Sequence, residues 1–142
     1  MDLTMISDRA LEIFDALKTS RDAILTLSNE IAQLELLAKD RKGDLDFEHA
    51  EAFVEAATEL NPETGKLTNP NIDAQKAAMC IKLNKSEGYG CDRVQHAELL
   101  RDIQLKKNTI IYEHERRGDL RTEADFLKSC VKAEVDSCGS CK

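Results

Sequence analysis

The sequence predicts an all-α protein: a long antiparallel helical hairpin or coiled coil with shorter covering helices. Three observations carry that prediction. Across residues 3–38, apolar side chains recur at Leu3, Ile6, Ala10, Ile13, Leu17, Ile24, Leu27, Ile31, Leu34 and Ala38. These steps of three and four average about 3.5 residues, the period of a coiled-coil seam. The 142 residues include two prolines and six glycines, which leaves little to interrupt long helices. Charged residues make up 33% of the chain and aromatic ones 4%, with no Trp, so the core must be built from Leu, Ile and Ala.

The elements follow in order. The first helix is expected over about residues 4–42, with Ser20 as the polar interruption of its seam and Arg41 at its end. A stripe of this kind needs a partner helix, from the same chain or from a second copy. The segment Asp40-Arg41-Lys42-Gly43-Asp44-Leu45 recurs as Glu115-Arg116-Arg117-Gly118-Asp119-Leu120. Each copy reads as a helix stop and a helix start: bases at the negative helix end, Gly in the left-handed position after it, Asp capping the next helix. A second helix over about residues 45–60 would bury Phe47, Ala50, Phe53, Val54, Ala57 and Leu60, and expose Glu48, Glu51, Glu55 and Glu59. A turn follows at Asn61-Pro62-Glu63-Thr64-Gly65-Lys66. Asn69-Pro70 then reads as an N-cap with Pro in the first helical position. The third helix, about residues 71–85, would bury Ile72, Met79 and Leu83, and Glu87-Gly88-Tyr89-Gly90 would end it. Asp92 and Gln95 resemble a capping box opening a fourth helix over about residues 93–117. Its seam of Leu99, Ile103 and Ile110 alternates with Lys106, Glu113 and Arg117, which raises the alternative of a face shifted to Leu100, Leu105 and Ile111. A fifth helix is expected over about residues 120–135. Residues 1–135 thus read as a single helical domain, with residues 136–142 as a flexible tail carrying cysteines.

The net charge of −7 disfavours a general nucleic-acid surface. Residues 43–91 hold nine acids and four bases, whereas residues 92–142 hold ten of each, so the acidity is concentrated mid-chain. No apolar run reaches the roughly 18 residues needed to span a membrane, and the N-terminus does not resemble a secretory signal. A cytoplasmic protein, in a bacterial or phage-infected cell, is the expectation, with its five cysteines reduced.

Catalytic signatures are missing from this pattern. His49, His96 and His114 have no acid–nucleophile arrangement around them in sequence. Asp40, Asp44, Asp46 and Glu51 resemble a calcium loop, but Leu45 stands where that loop needs Gly and Lys42 where it needs an oxygen ligand. Cys138-Gly139-Ser140-Cys141 is a C-x-x-C pair that suits zinc or a reversible disulfide, with Cys80 and Cys91 as further metal candidates. No cofactor is expected.

The two Gly-Asp-Leu segments resemble part of some bacteriophage small-terminase proteins, in which a charged helix is followed by a basic residue, Gly-Glu/Asp-Leu and a short acidic amphipathic helix. Here the corresponding residues are 111–127 and, less closely, 35–53. The resemblance implies a phage or mobile-element origin. The helix-turn-helix that usually opens that family has no counterpart in the uninterrupted heptads of residues 3–38.

Three functions follow as expectations. The first is a non-catalytic helical interaction or scaffold protein, not an enzyme, acting on a protein partner or on copies of itself through the seam. In one form it is an inhibitor whose Glu48, Glu51, Glu55 and Glu59 meet a basic protein surface. The second is a nucleic-acid accessory factor in phage DNA packaging or recombination, using Lys106, Lys107, Arg116, Arg117 and Arg121. The third is a metal- or redox-linked protein using the C-terminal cysteines.

Overall fold

The seam of residues 3–38 finds its partner within the chain. A computed structural model describes residues 2–140. It is all-α, with helices α1 (Leu3–Thr58), α2 (Ile72–Lys85) and α3 (Glu87–Ser140). The described residues hold no strand beyond a single antiparallel bridge, Leu60 with Leu67. The chain divides into two compact units. The first comprises residues 1–31 and 104–142, the second residues 32–103.

In the first unit α1 and α3 run antiparallel. As the numbers climb along α1 through Arg9, Leu17, Ser20 and Glu30, their partners fall along α3 through Glu123, Arg117, Glu113 and Lys106. The core is Ile6, Ile13 and Leu127, flanked by Leu17, Leu120, Ala124 and Cys130. Ile13 is 2% exposed. Burying such a side chain contributes about 1.5–3 kcal/mol.

In the second unit Ala52 and Ala56 of α1 present a small-residue face onto which Met79 and Leu83 of α2 pack, with Phe53, Ala78 and Tyr89 around them. The connection from α1 to α2 is tied down by polar contacts. Asn69 is buried and donates from Nδ2 to the Ala56 carbonyl at 2.8 Å. The Thr68 amide donates to the Glu59 carbonyl at 2.9 Å. These bonds satisfy carbonyls that the end of a helix leaves without partners. Gly65 turns the loop at φ 66°, a conformation that costs glycine little.

Several boundaries differ from the sequence expectation. The helix stops predicted at Gly43 and Gly118 do not occur: the helices expected over 4–42 and 45–60 merge into α1, which ends at Thr58, and those expected over 93–117 and 120–135 merge into α3. Neither glycine has positive φ. A lone interior Gly costs about 1 kcal/mol relative to Ala. Breaking the helix would also lose packing, because the three–four spacing continues past Ala38 through Arg41, Leu45, Glu48 and Ala52, none of them exposed. Residues 136–140, expected in a flexible tail, continue α3. The N-cap of α2 is Asn71, whose side chain accepts from the Ala74 amide at 2.8 Å, rather than Asn69. Ile72 is exposed, leaving Met79 and Leu83 as the buried residues of α2. A single residue, Ser86, separates α2 from α3, and its Oγ accepts from the Tyr89 amide at 3.2 Å. Asp92 is therefore interior to α3 rather than its cap.

Every unexposed residue of α3 between 92 and 127 keeps the three–four spacing, apart from Glu123. The shifted face at Leu100, Leu105 and Ile111 is exposed.

Continuous helices at Gly43 and Gly118 make a direct prediction. A Cβ at either position meets nothing within 4 Å. Gly43→Ala and Gly118→Ala should each stabilise the protein by about 0.5–1 kcal/mol in denaturant unfolding. Destabilisation by either change would show that the helix breaks there.

Candidate functional site

The second unit carries the acidity, with fourteen acidic residues against nine basic ones. It holds a groove of about 290 Å³ lined by Glu48, Glu51 and Glu55 of α1, Lys82 of α2, Ser86 between the helices and Tyr89 in the first turn of α3. Helical spacing explains the grouping: residues three and four apart share a face. Glu51, Glu55 and Glu59 are exposed. Glu55 is partly neutralised by Lys82 at 3.7 Å.

Glu48 behaves differently from the other three. It occupies a seam position and is half-buried, and its Oε2 is buried with no hydrogen-bond partner. The neighbouring acid is Asp92, which accepts from Arg41 Nη1 at 3.2 Å. Neighbouring carboxylates disfavour each other's ionisation. The hydrogen bond with Asp92 holds Glu48 above the usual carboxylate range, helped by burial and by the charges of Asp92, Asp44 and Glu51.

In the first unit Arg9 pairs with Glu123 at 2.7 Å and with Glu12 at 2.8 Å. The Arg9 hydrogen bond lowers the Glu123 pKa despite opposing desolvation.

The five basic residues singled out from the sequence do not form one displayed face. Lys106 sits in the seam and pairs with Glu30 at 3.1 Å. Arg116 lies 3.8 Å from Glu113. Arg117, also in the seam, donates from Nη1 to the Leu17 carbonyl at 2.6 Å. Lys107 and Arg121 are exposed to the side.

Of the metal candidates, Cys80 lies on α2 and Cys91 and Cys138 on α3, all exposed and free. Cys141 lies outside the described residues. No group of three or more His, Cys, Asp or Glu side chains suited to a metal ion occurs among the described residues. His114 and His49 are exposed, while His96 is half-buried.

Sequence reasoning missed the cross-helix polar pairs Ser20–Glu113 and Arg41–Asp92. The signal was present as polar residues at seam positions of both long helices. No helix is long and apolar enough to cross a membrane among the described residues. The chain matches no family model, no curated protein and no solved structure.

The Glu48–Asp92 contact predicts an inverted acid response. Because Glu48 has a raised pKa in the folded state, its contribution is fully present below its ordinary value of 4.5 and is lost as pH rises through the raised one. Glu48→Gln should flatten the fall in melting temperature on raising pH from about 4.5 toward neutrality. Glu123, with its lowered pKa, works in the other direction, losing its contribution as pH falls below 4.5. Glu123→Gln should flatten that acid limb. Unchanged melting profiles in either variant would contradict the corresponding assignment.

Proposed function

We propose that this chain is a non-catalytic helical interaction protein that offers the acidic face of residues 32–103 to a basic protein surface. The observation that carries the reading is the grouping of Glu48, Glu51 and Glu55 along one groove. Glu59, exposed, follows one residue beyond the end of α1. Potentials of one sign on a concave surface raise the local concentration of an oppositely charged partner and steer its approach. The groove also has an aromatic wall in Tyr89, over which a partner Lys or Arg gains a cation–π contact. The resemblance at the Gly-Asp-Leu segments sets such a protein in a phage or mobile-element context, inside a bacterial cell.

Glu51, Glu55 and Glu59 are the residues assigned to partner contact. Glu48 supports the groove from within, because its carboxyl is turned to Asp92. The accessory-factor reading loses support where Lys106 and Arg116 are already matched by carboxylates.

Reversing Glu51, Glu55 and Glu59 together to Lys should weaken binding of an arginine-rich helical peptide by at least about tenfold at low salt. Reversing Asp8, Asp15 and Asp136, which changes net charge equally, serves as the control. An equal loss from both triple variants would reduce the effect to overall charge and end the proposal.

A further inference from the structure

Three cations lie in the seams of the long helices, and two of them meet a carboxylate. Arg41 pairs with Asp92 at 3.2 Å and Lys106 with Glu30 at 3.1 Å. Arg117 has no carboxylate partner among the described residues. Its Nη1 donates to a neutral carbonyl, that of Leu17, at 2.6 Å. A half-buried charge without a carboxylate partner favours a counter-charge. The bond to Leu17 leaves most of the guanidinium's donors available while fixing its position.

Beside this guanidinium opens a groove of about 370 Å³, lined by Phe14, Leu17, Lys18, Arg21 and Arg117. Phe14, Lys18 and Arg21 stand four and three residues apart on α1 and so share a face. Nearby in the seam, Ser20 donates to Glu113 Oε2 at 2.7 Å. Phe14 is 66% exposed, with its ring at the edge of the groove. Lys18 has no ion pair among the described residues. Arg21 lies 3.9 Å from Asp22, but both side chains are well exposed, so that contact is worth little.

The geometry points to a single-stranded nucleic-acid site, with one base stacked on Phe14 and its flanking phosphates held by Lys18, Arg21 and Arg117. The exposed ring supplies a sequence-tolerant stacking platform, and the three cations supply the phosphate contacts. A duplex keeps its base faces inside the stack and cannot use the ring in this way. An acyl chain needs an enclosed apolar cavity rather than a groove at the surface. This site shares Arg117 with the basic residues noted in the sequence but otherwise draws on α1. It does not depend on the acidic face described above.

The test is fluorescence anisotropy with a labelled oligothymidylate of about 12 nucleotides, an abasic strand of the same length, and a labelled polyglutamate peptide. The thymidylate strand should bind at low salt, with a log–log salt slope of about −2 for three phosphate contacts. Joint Lys18→Glu and Arg21→Glu substitution should weaken it at least about tenfold. Phe14→Ala should weaken the thymidylate strand at least about fivefold and leave the abasic strand unchanged. All three positions are exposed, so circular dichroism of the variants should match the parent. Absence of binding at low salt would overturn the proposal. So would equal affinity for the abasic strand or for polyglutamate, or indifference to Phe14→Ala.

Discussion

The antiparallel pairing of α1 with α3 is the constraint on which everything else rests, and its polar members set its register. An apolar seam alone tolerates a slip of one heptad, since Leu, Ile and Ala replace one another at small cost. A slip in the first unit would set Ile13 or Leu27 where Ser20 now meets Glu113, and would leave that carboxylate against hydrocarbon. It would also part Lys106 from Glu30 and Arg9 from Glu123. Each polar seam residue gives up some packing energy and in return excludes the neighbouring register. In the second unit Arg41 and Asp92 play the same part.

Much of the fold could be read from residue spacing, because helical period is a property of the backbone and does not depend on distant residues. The pairing of two long helices and the short helix near residues 72–85 are examples. The failures came from local signals read without their tertiary context. Lys42-Gly43-Asp44 and Arg117-Gly118-Asp119 have the composition of a helix end, but packing on both sides of each glycine outweighs the modest cost of an interior Gly. Asp92 has the composition of a cap and is instead a partner for Arg41. Asn69 looked like a cap and is instead a buried clamp on Ala56, an assignment visible only once the chain folds back.

The candidate sites were legible to a lesser degree. Three of the four glutamates chosen for their spacing do share one groove, since spacing decides which residues share a helix face. That Glu48 turns inward depends on Asp92, which lies 44 positions away in sequence and is brought near only by the register. The basic residues show the converse. Lys106 and Arg117 read both as seam positions and as a displayed basic patch, and the fold keeps them in the seam with partners on α1. Lys18 and Arg21 drew no notice because they lie in the first helix, far in sequence from Arg117.

Cys130 gives this arrangement a chemical clock. Its thiol is half-buried against Ile6, Ile13 and Leu127, whereas Cys80, Cys91 and Cys138 are exposed. A thiol reacts as its thiolate and only where reagent can reach it. Alkylation at the three exposed positions therefore proceeds from the native state. Alkylation at Cys130 is slowed by the packing around it and quickens as that core opens, so its rate reports the local stability of that end of the helix pair rather than of the whole chain.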